Sequence, residues 1–233
     1  QAVVNRGDED YQPLLPYGYG LTYKTTASSL LTTELDETIV ASAEAVTSEK
    51  FFDGKMHKPW LMWLFSGDTK IEPTANTHEF GALAYRTVDK DVQEDARQIR
   101  LNGSENAGLA IISKSNFRED LRSALEQKSA LKFMVSVTEK PQGQVILSTH
   151  CQKAESPDDN CGSSIDITTP LSEIVHHGWS AVTVDLACFA DKGTSFDDLV
   201  RPFEISSTGA ATLQLAEISY EPNMAAEATI SCQ

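Results

Sequence analysis

The residues best equipped for chemistry lie in two places. The run Pro59-Trp60-Leu61-Met62-Trp63-Leu64-Phe65 carries two tryptophans, and Asp89-Lys90-Asp91-Val92-Gln93-Glu94-Asp95 packs four carboxylates and a carboxamide together, flanked by Tyr85, Arg86 and Arg97. An aromatic face packs against C–H groups, while fixed carboxylates, amides and guanidinium groups hydrogen-bond polar ligand atoms, so these side chains suit recognition rather than bond cleavage. A nucleophile and base pattern is missing around His57, His78, His150, His176 and His177, which read as surface histidines. The plainer role of the acidic run is a solvated turn whose aspartates cap backbone amides. The plainer role of each tryptophan is a core anchor, the usual fate of a large aromatic in an apolar strand.

Strands must position these groups. Apolar and polar residues alternate with period two in several segments: Leu131, Phe133, Val135 and Val137 oppose Lys132, Met134, Ser136 and Thr138, and Val182, Val184 and Leu186 oppose Thr183, Asp185 and Ala187. Strands are expected at 38–46, 60–66, 80–88, 97–102, 107–113, 130–138, 144–150, 164–168, 180–189, 203–207 and 211–220, separated by Gly, Asp, Asn, Ser and Pro turns. Helical pattern is confined to 117–127, 171–176 and 195–200. The fold class is therefore all-β, a jelly-roll β-sandwich with a few short connecting helices. Strand alternation sends Trp60 and Trp63 to opposite faces, so at most one lines a given surface, and Trp179 follows His176-His177-Gly178 at a strand start.

Charge and cysteines narrow the function further. Nineteen basic against 34 acidic residues give a net charge of −15, which repels nucleic acid and anionic lipid and favours neutral ligands. No apolar run reaches the ~18–20 residues of a membrane span. Cys151 and Cys161 flank the turn-forming Ser156-Pro157-Asp158-Asp159-Asn160, which predicts a disulfide between them and an oxidising compartment, periplasmic or extracellular. For Cys188 two readings stand, a bond to Cys232 or a buried thiol in an apolar strand. Zinc is disfavoured, since neither Cys-x-x-Cys nor supporting histidine spacing occurs.

Two sets of motifs carry resemblances. Asn5 to Tyr23, above all Pro16-Tyr17-Gly18-Tyr19-Gly20-Leu21-Thr22-Tyr23, resembles the segment that closes the second catalytic domain of glycoside hydrolase family 3. Tyr85-Arg86-Thr87-Val88-Asp89-Lys90-Asp91-Val92-Gln93-Glu94-Asp95-Ala96-Arg97 and Gly178-Trp179-Ser180-Ala181-Val182-Thr183-Val184-Asp185-Leu186-Ala187-Cys188-Phe189 resemble the ExoP-type C-terminal domain, and Arg201-Pro202-Phe203-Glu204-Ile205 and Leu215-Ala216-Glu217-Ile218-Ser219-Tyr220 follow in that family's order.

The resemblance implies a galactose-binding-like β-sandwich behind the catalytic domains of a family 3 β-glucosidase or exo-β-glucanase. It divides the chain into a catalytic-domain tail at 1–23, a linker at 24–36 and the sandwich at 37–233. A retaining glycosidase of this kind needs two carboxyl groups about 5–5.5 Å apart. The nucleophile's context, an Asp followed by Trp after a small residue, is absent, so this chain is expected to be a non-catalytic fragment of the enzyme. The implied partners are β-1,3-, β-1,4- or mixed-linked glucan and the parent's catalytic domains, which the sandwich serves as a binding module or as a scaffold. On the sugar-binding reading the candidate residues are Trp60, Trp63, Tyr85, Arg86, Asp89, Asp91, Gln93, Glu94, Asp95 and Arg97. Sandwiches of this kind often hold a structural calcium ion through carboxylates, for which Asp53, Glu217 and Glu221 are the candidates.

Overall fold

A computed structural model describes residues 47–114, 117–152 and 160–232; the expected catalytic-domain tail at 1–23, linker at 24–36, strand at 38–46 and Pro157-Asp158 turn lie outside them. The first half runs β1 (Glu49–Phe52), β2 (Trp60–Ser66), β3 (Thr69–Ile71), β4 (Thr77–Phe80), β5 (Leu83–Val88), β6 (Ala96–Asn102) and β7 (Ala107–Ser113). After α1 (Arg122–Glu126) come β8 (Ala130–Val137), β9 (Val145–Gln152), β10 (Asn160–Asp166), α2 (Thr168–Glu173), β11 (Trp179–Asp185), α3 (Ala187–Ala190), β12 (Leu199–Ser207) and β13 (Ala210–Glu221).

The strands form two antiparallel sheets. One has the order β11-β8-β13-β6-β5-β4, with β1 pairing the far half of β13, and the other has the order β10-β9-β12-β7-β2-β3. The alternation read in β8 holds: Leu131, Phe133, Val135 and Val137 are buried in the core, and Lys132 and Met134 are partly exposed on the outer side. Core residues come from the inner faces of both sheets, among them Trp60, Met62 and Leu64 of β2, Leu109 and Ile111 of β7, and Phe203 and Ile205 of β12. The fold is thus the expected β-sandwich.

Several boundaries differ for local reasons. The segment expected as one strand at 80–88 is split by Gly81, whose φ of +53° turns the chain into the β4–β5 hairpin. The strand expected at 180–189 stops at Asp185, whose carboxylate accepts the Ala187 amide at 2.9 Å and starts α3, so Cys188 lies on a helical turn rather than a strand. No helix forms at 195–200, because Leu199 is drawn into β12 opposite Cys151 and bridges Glu119. The helix expected at 117–127 shrinks to α1, closed by Lys128 at φ +50°.

Both cysteine pairs are bonded. Cys151 and Cys161 sit opposite one another on β9 and β10 with Cα atoms 4.9 Å apart, and Cys188 is bonded to Cys232 at 5.2 Å. In the chain-entropy view, loops of 10 and 44 residues correspond to about 3 and about 4 kcal/mol of stabilisation. The second bond fastens a tail in which Ile230 bridges Val184, extending cover over the open side of β11.

Candidate functional site

Antiparallel partners share a face, so the register shows which side chains meet on the outside of the six-stranded sheet. Trp63, Ala110, Glu204, Ser148 and Ser164 form one transverse row, each on the next strand. Lys70, Phe65, Gly108 and Ser206 form the row beside it, and Arg201 stands opposite His150 across β12 and β9. Together they bound a groove of about 470 Å³, lined by Trp63, Phe65, Lys70, Ala110, Ile112, Gln152, Arg201 and Glu204.

The sequence shapes this groove through residue size. Ala110 makes a low floor on β7, one of the two central strands of the sheet, with Gly108 two residues before it. A Cβ at Gly108 would press within 2.9 Å of Phe65 Cζ and collide with the Ile205 carbonyl, so the glycine lets the Phe65 ring lie on the sheet. On the opposite wall, register shifts on either side of Arg201 bend β12 and bring Arg201 and Glu204 to the same side.

The polar groups here are charged but incompletely partnered. Glu204, only 9% exposed, pairs with Arg201, and its Oε1 is 3.6 Å from His150 Nε2. Burial by itself pushes the Glu204 carboxyl up, but the His150 imidazole and the Arg201 guanidinium outweigh it and hold the group below the usual carboxylate range. Among the described residues, four buried side-chain nitrogens make no hydrogen bond: Trp63 Nε1, Arg201 Nε, His150 Nε2 and His57 Nε2, of which His150 stands in ion-pair range of Glu204 and His57 in that of Asp53. The first three belong to the groove and its His150 edge. An unmet buried donor costs about 1–3 kcal/mol, a demand that water or ligand oxygens can meet.

The residues singled out from sequence are distributed differently. Trp63 faces outward into the groove, whereas Trp60 is 2% exposed in the core, edge-on to Phe51 with its Nε1 donating to Glu49 at 3.1 Å. Tyr85 is 5% exposed and, with Arg86, borders a separate cavity on the seven-stranded sheet rather than the groove, so neither Trp60 nor Tyr85 reaches the groove. Arg86 is exposed and donates to Gln98 on the seven-stranded sheet, away from the groove. Arg97 lies over the Phe52 ring at 4.7 Å and donates to the Gly54 and Glu94 carbonyls.

The acidic run is the β5–β6 turn and belongs to the seven-stranded sheet. Asp95 accepts the backbone amides of Lys90, Asp91 and Val92, Asp89 accepts that of Glu94, Asp91 pairs with Lys90, and Gln93 is exposed at the tip. Asp53, Glu217 and Glu221 share a separate cavity of about 270 Å³ with Lys50, Lys90 and Lys132. Sequence reasoning missed Phe65, Lys70, His150, Arg201 and Glu204. The available signal was parity: Glu204 alternates with the buried Phe203 and Ile205, and His150 with the buried Thr149 and Cys151.

The profile of the Exop_C family, described as galactose-binding domain-like, matches residues 58–220. The chain belongs to this family. Among solved structures, this Exop_C chain is similar to the extra C-terminal domain of an exo-1,3/1,4-β-glucanase from a Pseudoalteromonas species, with 18% identity, a TM-score of 0.58, and coverage of 75% of this chain and 92% of that one. Against the whole glucanase of that organism the identity is 20% and the TM-score 0.57, over 99% of this chain; the chain spans about a quarter of that enzyme's length. A family 30 carbohydrate-binding module of a Clostridium thermocellum cellulosomal cellulase shares the fold at 12% identity and a TM-score of 0.53, covering 76% of this chain and 98% of the module. A search of curated protein sequences finds no match.

Proposed function

We propose that this Exop_C sandwich is a non-catalytic carbohydrate-binding module that holds one neutral β-glucan chain in the groove of the six-stranded sheet. Stacking falls to Trp63 and Phe65, and hydroxyl recognition to Arg201, Glu204, His150 and Lys70. The single observation that carries this reading is the pair of unmet buried nitrogens, Trp63 Nε1 and Arg201 Nε, in one groove that also presents an outward tryptophan. A recessed floor between walls suits a single chain better than a flat crystalline surface. The net charge of −15 favours a neutral polymer over an anionic one.

Likeness to a domain of an exo-1,3/1,4-β-glucanase supports assigning this chain to a family 3 glycosidase that acts on β-1,3-, β-1,4- or mixed-linked glucan. The two disulfides support an oxidising, periplasmic or extracellular setting. Calorimetric titration of the 233-residue chain with laminari-, cello- and mixed-linkage oligosaccharides tests the reading. Saturable binding to at least one series is expected. Absence of heat with all three overturns it and leaves the sandwich as a brace for the catalytic domains.

A further inference from the structure

The carboxylates expected to hold calcium do come together, but the surrounding side chains do not fit a divalent ion. Asp53 is engaged by His57 at 2.8 Å and faces Lys50 at 3.8 Å, and Glu221 accepts the hydroxyls of Ser48 and of Ser219, the latter at 2.6 Å. Glu217, in the irregular stretch of β13 between Ala216 and Ser219, adopts a φ of +49°, a costly conformation for a side chain of this kind. Its Oε1 lies 2.8 Å from Lys90 Nζ. The Lys90 side chain is only 11% exposed, and its ammonium also contacts Asp91. The remaining lysines of this cavity, Lys50 and Lys132, add positive charge where a divalent ion would need negative charge.

We propose that the Lys90 ammonium is this domain's own structural cation, joining the β5–β6 turn to the irregular stretch of β13 in the position where a calcium ion was expected. Glu217 and Asp91 are matched to the Lys90 ammonium, and Asp53 to His57 and Lys50, so stability does not depend on a divalent ion. An ammonium with three donors satisfies two carboxylates from separate segments, as a bound ion would, without the six to eight oxygens that calcium requires.

Calorimetric melting of the full chain in calcium chloride and in EDTA tests this. The wild-type melting temperature is expected to be the same in both, and Lys90→Met is expected to lower it by about 2–4 °C, a shift tempered by the partly exposed Glu217 partner. A wild-type melting temperature that falls in EDTA relative to calcium overturns the proposal, as does a Lys90→Met chain that melts like the wild type. Should Lys90→Met fail to fold, Glu217→Gln probes the same contact from its more exposed end; a lowered melting temperature unaffected by calcium supports the proposal, and an unchanged one overturns it.

Discussion

The groove and the acidic turn draw on the same polar chemistry and end in opposite states. In the turn, Asp95 and Asp89 are matched to amides of their own loop, and Asp91 to the neighbouring Lys90. In the groove, Glu204 is partnered by Arg201 and His150, yet Trp63 Nε1 and Arg201 Nε make no hydrogen bond. A polar group satisfied by its own backbone stabilises the fold and asks nothing of a ligand, whereas unmet donors beside an aromatic face are what a ligand can satisfy. Density of charged residues is therefore a poorer guide to a binding site than the balance of donors and acceptors.

The largest effect that could break this contrast is at Trp63. Trp63→Ala should weaken glucan binding about 30-fold or more, the loss of about 2 kcal/mol typical of a central aromatic anchor, and calorimetry reads it directly. Glu204→Gln should cost about 10-fold in affinity with the fold retained, since it removes one charged acceptor from the polar wall; circular dichroism checks the fold in the same sample. Asp95→Asn should do the reverse, lowering stability by about 1 kcal/mol in denaturant titration through weaker capping while leaving affinity unchanged. A loss of affinity at Asp95 equal to that at Trp63 would erase the distinction between the two regions.

The smallest effect is a pH dependence. Glu204 and Asp95 are both held below their usual values of 4.5 and 3.8. Burial alone would raise the Asp95 carboxyl, but the backbone amides of Val92, Lys90, Asp91 and Asp95 itself outweigh it. A carboxylate whose folded pKa is depressed contributes stability above its ordinary pKa and loses it as pH falls through the lower, folded value. Acid titration of stability should therefore be flat from neutral pH to about 5 and fall below pH 4.5, with part of the fall removed in Glu204→Gln and part in Asp95→Asn.

Much of the fold could be read in the sequence because period-two alternation is a local property. Leu131 to Val137 and the opposite facing of Trp60 and Trp63 needed only that rule. Elements bent by side-chain contacts were less legible: Gly81 divides a hairpin, Asp185 starts a helical turn, and Leu199 is claimed by a distant strand. The groove was hidden for a stronger reason. Its residues come from β2, β3, β7, β9 and β12, and Trp63 shares a row with Glu204 only because β7 places Ala110 between them. The acidic turn drew attention because its residues are adjacent in sequence, yet adjacency is also what lets them satisfy one another.

Titration of wild type, Trp63→Ala and Asp91→Asn with one β-glucan oligosaccharide under identical conditions tests the central claim most directly. The account predicts one saturable site in wild type, retained with equal affinity in Asp91→Asn and weakened about 30-fold or more in Trp63→Ala. Wild-type binding that survives Trp63→Ala unchanged, or disappears in Asp91→Asn, would contradict it.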